Sequence, residues 1–561
     1  MPHLSMISDL HLTRTPKKRH HCVSSPMDDT ATAPLLTSHK AKLAKAPSID
    51  DTIETYIGAT GAMQLLKALL LAFVWVFDAQ QVFISVFTDA EPRWHCTGSD
   101  ASCSPAAASP CALPPGAWAW DVPAETSVVS EWALKCAGPA LVSLPASSFF
   151  AGCLAGGFLL TTLADSLLGR KKMLLVSMAS MSVAGVLTAF APNVWAYAAL
   201  RFVCGFARSI VGTCALVLST EIVGRRWRDR VSVAGLFCFT VGFMSLPALA
   251  YVLRETSWRS MYFWTSVPSL CYSVLLYFVV QESPRWLLVR GRKQDAIDVL
   301  RQIAALNGSS AATSSFSMVH ACTADDGGEE SGGAGGVFAT LQTMWERPWA
   351  LRRLAAIMAA SFGVGTVYYG MPLNVGSLGS DLYLSVTYNA VAELPSSILA
   401  WLLIDRINRR SSLVALTTAA GALSLACVAM PRGSPALMAT EIASFCATCT
   451  AFNLTIIYSV ELFPTAVRNS AVGLVRQAVV MGGVAAPVLV ALGRERSFWS
   501  FGVFGLAIGC LGLFAACLPE TRGRSMSDTM EEEERKEKDA TATSCNAGAA
   551  AIDTYSKSDL V

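Results

Sequence analysis

Several ionisable residues lie inside long apolar stretches of this 561-residue chain, among them Asp78, Arg201, Arg208, Glu393 and Arg476. A charge at the centre of a bilayer-spanning helix costs at least about 2.5 kcal/mol on insertion scales, so each such residue requires a partner or a function. A carboxylate that faces a water-filled cavity can attract an organic cation or accept a proton, and a guanidinium can hold a carboxylate. The residue types therefore favour binding of a charged group over covalent chemistry.

Glu393 is the first choice for binding a cation. It lies two residues before Pro395, whose missing N–H loosens a helix locally. Tyr368 and Tyr369 could line the same cavity, because the faces of aromatic rings attract cations by about 0.5–2 kcal/mol. The alternatives are a packing carboxylate paired with a basic neighbour for Glu393 and ordinary packing for the two tyrosines.

The sequence leaves the roles of the other intramembrane charges open. Asp78 could bind a cation, accept a proton or form an ion pair with another helix. Arg201 and Arg208 are seven residues apart and hence lie on one helix face. Either arginine could hold a carboxylate, and pairing with an acid of the protein is the favoured interpretation.

Composition indicates a membrane protein. Hydrophobic residues make up 53% of the chain and charged residues 15%, whereas soluble chains carry roughly a quarter charged residues. Mean hydropathy is +0.45, and the formal net charge of +2 gives no indication of nucleic-acid binding. A bilayer-spanning helix needs about 20 apolar residues. That criterion predicts about twelve spans, at 63–87, 140–163, 173–191, 194–218, 230–253, 260–281, 353–376, 383–404, 412–430, 435–459, 470–492 and 498–518.

Clusters of arginine and lysine in alternate loops orient these spans. Because basic residues stay on the cytosolic side, both termini are predicted to lie in the cytosol, at a plasma or vacuolar membrane. The loop at 88–138 then faces the outside or a vacuolar lumen, where disulfides persist. Four cysteines of this loop allow three pairings and are predicted to form two disulfides. They are Cys96, Cys103, Cys111 and Cys136.

These signals divide the chain into five parts. They are a cytosolic tail at 1–62, a six-helix half at 63–282 that includes the external loop 88–138, a cytosolic central loop at 283–350, a second six-helix half at 351–518 and a cytosolic tail at 519–561. The central loop is predicted to be helical up to about Asn307 and flexible from 309 to 336, where Ser, Gly and acids dominate. The acidic tail is predicted to be solvated and disordered.

Matching charges recur 240 residues apart. The matched residues are Asp165 with Asp405, Glu221 with Glu461, and Arg228 with Arg468. A Glu-Ser-Pro-Arg segment closes the sixth span and a Glu-Thr-Arg segment closes the twelfth. Three matched features in the same order predict an all-α membrane protein of twelve helices in two homologous six-helix halves, the parallel-repeat layout of major facilitator transporters.

The charges at the cytosolic ends of the helices are predicted to act as gates. Ion pairs between such charges can hold one access state closed and must break to reach the other. The alternative is a set of solvated charges that only orient the helices. The gate candidates are Asp165, Arg170, Glu221, Arg228, Asp405, Arg409, Glu461 and Arg468.

Several motifs resemble the organic-ion branch of the major facilitator superfamily. They are Glu-Ser-Pro-Arg-Trp-Leu at 282–287, Asn-Val-Gly at 374–376 with Leu-Gly-Ser at 378–380, and Glu-Leu-Phe-Pro-Thr at 461–465 with Arg-Asn at 468–469. Residues 75–81 and 163–172 look most like those of plant organic cation/carnitine transporters. In this family, an acid at the position of Glu393 is associated with substrate recognition.

The resemblance bears on Arg476. When the chain is aligned on Gly482, Gly483 and Pro487, Val480 takes the position that carries Asp in animal cation carriers and Arg in animal anion and carnitine carriers. Arg476 lies one turn earlier on the same face. A zwitterion could therefore place its ammonium at Glu393 and its carboxylate at Arg476.

Together these features predict a secondary active transporter, not an enzyme, that moves small organic cations or carnitine-like zwitterions by alternating access. A proton or a sodium ion is a candidate coupling ion. The alternatives are an organic anion or sugar carrier of the same fold, or a transport-inactive receptor or sensor. No cofactor or metal is expected, since the sequence contains no Walker loop and no His-Glu-x-x-His motif.

Overall fold

Apolar helices form most of the computed structural model, which describes residues 61–97, 110–114, 116–163, 168–306, 342, 344–494, 496–523, 527 and 529–538. In this part of the chain, ten helices are long and apolar enough to cross a membrane. A further helix, Leu382–Arg406, carries Glu393 and is less apolar, and the segment Phe501–Cys517 is apolar but shorter. These twelve helices confirm the predicted number of spans.

The spans are numbered in chain order. They are Ala62–Thr88, Pro139–Thr161, Arg170–Thr188, Val194–Glu221, Arg226–Val252, Trp258–Val279, Pro348–Leu378, Leu382–Arg406, Arg409–Ala429, Pro435–Leu462, Val467–Gly493 and Phe501–Cys517.

The packing of the helices repeats after six spans. In the first half, span 1 packs against span 5, span 2 against span 4, and span 3 against span 6. The same contacts recur in the second half between spans 7 and 11, 8 and 10, and 9 and 12. Between the halves, span 2 packs on span 11 and span 5 on span 8. The 240-residue repeat in the sequence is therefore a repeat in packing.

Two glycines at this spacing let the backbones of paired spans approach closely. A Cβ on Gly242 in span 5 would lie 2.3 Å from the carbonyl oxygen of Val76 in span 1, and a Cβ on Gly482 in span 11 would lie 2.5 Å from that of Phe362 in span 7. Membrane helices pack through such small residues because lipid offers no hydrophobic drive for association. Large apolar side chains such as Phe278 and Val252 remain exposed on the outer surface of the bundle, where they suit contact with lipid.

One end of the bundle, called the loop end, carries the segment between spans 1 and 2. Its two short strands, Trp94–Cys96 and Trp118–Trp120, pair antiparallel. A disulfide joins Cys111 to Cys136, just before span 2. Cys96 is also disulfide-bonded, and Cys103 lies outside the described residues.

The opposite end, called the basic end, carries the central loop and the tail. Helices Pro284–Val289 and Lys293–Leu306 agree with the helical part of the loop that the sequence predicts, and the linker at 309–336 lies outside the described residues.

The prediction of a disordered tail is wrong for residues 530–538, which are helical. Arg353 Nη1 of span 7 lies 2.7 Å from Glu533 Oε1, and Arg347 Nη2 lies 2.8 Å from Glu531 Oε1. Met530 is buried beside them. Two arginines thus neutralise the acidic run, and a sequence reading confined to the tail could not see them.

Candidate functional site

Glu393 lies near the middle of span 8 with its side chain buried. Tyr368 of span 7 donates its hydroxyl hydrogen to Glu393 Oε1 over 2.7 Å, and Thr240 of span 5 donates to Oε2 over 3.4 Å. Since Thr240 belongs to the first half and Tyr368 to the second, the carboxylate lies where the halves meet. Among the described residues no basic side chain lies within ion-pair distance of it, so the structure gives no support to the paired-packing alternative.

Aromatic rings pack around Tyr368, which donates to this carboxylate. The ring of Tyr368 stacks on Phe452 of span 10 at 4.6 Å between centroids, and Phe83 of span 1 lies 6.4 Å from Tyr368. Tyr369 lies 4.6 Å from Phe150 of span 2. Rings from both halves therefore line the region around Glu393, which favours a cationic ligand.

Asp78 forms an ion pair between helices. Its Oδ2 lies 2.7 Å from Nη2 of Arg208 in span 4, and both side chains are largely buried. Asp78 Oδ1 and Arg208 Nε have no hydrogen-bond partner in the described part of the chain. Of the three roles left open for Asp78, the structure shows the ion pair.

Arg476 borders the space between the halves. Its Nη1 donates to Thr213 Oγ1 of span 4 over 3.0 Å, although Arg476 belongs to span 11. The residue is nevertheless exposed. The guanidinium thus lies between the halves, where it interacts electrostatically with Tyr369, Arg208 and Asp78.

Arg201, in contrast, is buried in the first half. It is 1% exposed, donates from Nη2 to the carbonyl oxygen of Gln81 and to Ser85 Oγ, and lies over the ring of Phe149. These contacts are to neutral groups, and the ion pairs of the described residues include none between Arg201 and an acid, the pairing favoured from the sequence.

Three gate candidates at the basic end, Arg228, Arg409 and Arg468, contact groups of their own half. Arg409 Nε lies 3.3 Å from Glu461 Oε2, which also accepts a hydrogen bond from Thr521. Arg228 and Arg468 donate to the backbone carbonyls of Thr220 and Phe463.

Two further glutamates cap helices at the basic end. Glu282 accepts hydrogen bonds from the backbone N–H groups of Arg170 and Lys171, and Glu520 accepts them from those of Arg409 and Arg410. A carboxylate is stabilised at a helix N-terminus by the helix dipole. Glu221 is partly buried close to this cluster. Asp165 lies outside the described residues, and for Asp405 only the backbone in span 8 is described.

Contacts at the loop end also join the halves. Arg494, at the end of span 11, donates from Nη2 to the carbonyl oxygen of Asp89 over 3.2 Å and pairs through Nη1 with Glu91 over 3.4 Å. The rings of Phe87 and Tyr383 stack at 5.9 Å. These contacts hold the halves together at the loop end.

Sequence reasoning missed several residues of this site. Thr240, Phe83 and Phe452 carry no signal in an apolar span, and the tie formed by Arg494 depends on a partner about 400 positions away. Glu441 could have been found, because it is an acid inside the predicted span at 435–459.

Comparison with known proteins gives consistent results. The model of the sugar (and other) transporter family matches residues 125–532. Organic cation/carnitine transporter 2 of Arabidopsis thaliana is 50% identical over 512 residues, which cover 90% of this chain and 97% of the relative. Organic cation/carnitine transporter 3 of the same plant is 49% identical, with 90% and 98% covered.

A solved structure of the major facilitator proton:xylose symporter XylE shares the fold. Its TM-score is 0.54 at 19% identity, and the match covers 84% of this chain and 98% of that one. Fold and sequence therefore agree with the resemblance first indicated by the motifs. The chain is a transporter, not an enzyme, and it belongs to the family of the organic cation/carnitine transporters within the major facilitator superfamily.

Proposed function

We propose that this chain is a secondary active carrier that binds the ammonium group of a small organic cation or zwitterion at Glu393. The observation that carries the proposal is a buried carboxylate between the halves, with hydrogen bonds from Tyr368 and Thr240 and no basic partner among the described residues. Aromatic rings around it suit a quaternary ammonium. The names of the relatives, organic cation/carnitine transporters, agree with this chemistry.

The second charged group of a zwitterion has a partner in Arg476. Arg208 is already neutralised by Asp78, whereas Arg476 touches only a neutral hydroxyl among its described hydrogen-bond partners. An exposed guanidinium in a cavity attracts a carboxylate. The pair Glu393 and Arg476 thus supports carnitine-like solutes as well as simple cations.

Alternating access accounts for the distribution of contacts between the halves. By the positive-inside rule the basic end faces the cytosol, with both termini. The loop end then faces the outside or a vacuolar lumen, in keeping with the disulfide at Cys111. Because Arg494 ties the halves at the loop end, alternating access requires that this tie break when the loop end opens.

Uptake by the purified chain in liposomes tests the proposal. Labelled choline, carnitine, succinate and glucose serve as a cation, a zwitterion, an anion and a sugar. Saturable uptake of choline or carnitine, with little uptake of the other two, is expected. Uptake confined to succinate or glucose would reject Glu393 as the recognition site, and binding of choline without any uptake would indicate a receptor.

A further inference from the structure

Glu441 of span 10 is a second buried carboxylate, distinct from Glu393. Its side chain is 1% exposed. Asn389 of span 8 donates from Nδ2 to Glu441 Oε1 over 3.0 Å. No basic side chain in the described ranges lies within ion-pair distance of Glu441.

The groups around Glu441 are neutral. Spans 7, 8, 9 and 11 pack against span 10. Among the described residues, the titratable groups that interact with Glu441 are the thiols of Cys427 in span 9 and Cys449 in span 10 itself. The ionisable side chains at mid-depth of spans 7 and 11 are engaged elsewhere, Tyr368 with Glu393 and Arg476 with Thr213.

An ionised carboxylate in such surroundings is unfavourable. An unpaired charge in a low-dielectric interior costs several kcal/mol, and a protonated carboxyl group avoids this cost. Asn389 also suits the protonated form. Its Oδ1 is buried and has no other partner among the described residues, so it can accept the carboxyl hydrogen.

Span 8 links Glu441 to the proposed solute site. Asn389 and Glu393 are four residues apart and hence lie on one face of this helix. Glu441 thus contacts span 8 one helical turn away from Glu393. Span 8 also packs on span 5 of the first half, so a movement of span 8 between access states also moves Asn389 against Glu441.

We propose that Glu441 is the proton-binding site of a proton-coupled symport. The inference rests on the proposed function and adds the coupling ion to it. The proton and the ammonium group occupy different carboxylates, so both can be bound at once, as symport requires. A proton that competed with the solute for Glu393 would instead produce antiport.

Proton movement measured together with carnitine uptake tests this site. The full chain is placed in liposomes with a trapped pH-sensitive dye, and potassium with valinomycin clamps the membrane potential. A gradient of one pH unit, acidic on the side from which carnitine enters, is expected to drive up to about tenfold accumulation in the wild type, because one pH unit corresponds to a factor of ten. The dye should report proton entry together with carnitine.

Variants at Glu441 separate coupling from transport. Glu441→Gln should retain exchange of labelled for unlabelled carnitine but lose both pH-driven accumulation and proton entry. Glu441→Asp keeps a carboxyl group and should recover part of both. Ser444→Ala is the matched control. Ser444 lies on the same helix as Glu441, and its replacement removes a buried hydrogen bond to the carbonyl oxygen of Ala420 without removing a titratable group. Carnitine uptake by this variant should remain coupled to proton entry.

The outcomes distinguish this inference from the proposed function. Wild-type carnitine exchange without proton movement, drive by sodium alone, antiport, or full accumulation by Glu441→Gln would each overturn the proton site and leave the carrier function intact. Absence of choline and carnitine transport would overturn the function itself. If Glu441→Gln fails to fold, the wild-type dye signal and the coupling of Glu441→Asp decide whether Glu441 is the proton site.

Discussion

The surroundings of Glu393 leave its charge without a positive partner among the described residues and so suit the ammonium group of a solute. The carboxylate has hydrogen bonds from two hydroxyl groups, which hold it in place without neutralising its charge. The rings of Phe83 and Phe452 pack against Tyr368, one of these two donors. A cation that enters restores the missing positive charge and contacts the ring faces.

Replacement of Glu393 by glutamine should selectively weaken cations. The change keeps the shape and removes the charge, so we expect a loss of roughly 1.5–3 kcal/mol, the range for hydrogen bonds to charged groups, or about ten- to 150-fold in choline affinity. The measurement is equilibrium binding to the purified protein. The neutral isostere 3,3-dimethylbutanol is the control and should be much less affected; an equal loss for both would leave Glu393 a packing role.

Arg476→Gln should have the complementary effect. Its guanidinium lies between the halves and touches only a neutral hydroxyl among its described hydrogen-bond partners, so its removal should weaken carnitine more than choline. Both variants are measured against both solutes, in a two-by-two comparison. If all four combinations lose affinity equally, the two residues only hold helices together and zwitterion recognition lies elsewhere.

The sequence locates charges within the spans, but it does not assign a role to each of them. Because a charge in a bilayer is costly, the positions of Asp78, Glu393 and Arg476 inside apolar stretches selected them as candidates. Whether an acid is paired depends on a partner far away in the chain, as Arg208 is for Asp78. The spacing of residues along one helix carries no information about which residue of another helix lies beside them.

At the scale of elements, the tail helix at 530–538 docks on the start of span 7. Arg353 is buried and donates to Glu533 over 2.7 Å, and Ser527 donates to the same carboxylate over 2.7 Å. Although partial burial alone raises the pKa of Glu533, the hydrogen bonds from Ser527 and Arg353 and the Arg353 charge lower it below its usual range. The docked state therefore prefers the ionised form.

Glu533→Gln should loosen this helix by about 1.5–3 kcal/mol, the range for a hydrogen bond to a charged group. Faster hydrogen exchange across 530–538 measures the effect, and Glu531→Gln, at a more exposed pair, should change it little. Because the docked pKa is lowered, the contribution of Glu533 is present above the ordinary glutamate pKa and is lost as pH falls through the lowered value. Docking that is equally strong at acidic pH would contradict this role.

The disulfide between Cys111 and Cys136 should restrain the external segment. Closing a loop of 25 residues removes conformational freedom of the open chain, typically worth about 2–4 kcal/mol. Cys111→Ser should therefore raise proteolysis within 110–136 while choline binding persists. Cys271→Ser, at a free and exposed thiol, is the control. Alkylation of Cys111 and Cys136 in unreduced native membranes would show that the bond is absent.

Helices were easier to predict than the segments between them. Twelve apolar stretches of about 20 residues are a strong signal, because the bilayer sets their length. The tail helix was missed because four successive acids indicate solvation unless basic partners are known, and Arg347 and Arg353 lie about 180 positions earlier.

At the scale of the whole molecule, the repeat predicts where the halves can separate. Spans 2 and 11 and spans 5 and 8 form two equivalent contacts, so the halves can rock about the central site. Spacing in the sequence revealed the two halves, since Gly242 and Gly482 and the paired gate charges recur at 240 residues. It could not reveal which end is closed, because both access states share one sequence.

The tie formed by Arg494 should set the balance between these states. Its guanidinium joins the second half to Glu91 and to the carbonyl oxygen of Asp89 in the first, and both charged side chains are about four-fifths buried. Arg494→Gln should remove on the order of 1 kcal/mol, the upper end for partly exposed ion pairs. That loss shifts the equilibrium about fivefold toward opening at the loop end.

A cysteine in place of Phe87 reports this opening. Phe87 is buried and stacks on Tyr383 of the other half, so a thiol there should react with an impermeant reagent only when the loop end opens. Adding Arg494→Gln to Phe87→Cys should raise the labelling rate of this cysteine about fivefold. Peptide mass spectrometry measures the labelling at this position. Glu461→Gln is the control, because the partner Arg409 lies in the same half and its loss cannot release the loop end. Equal labelling with and without Arg494 would mean that the Arg494 tie does not hold the loop end closed.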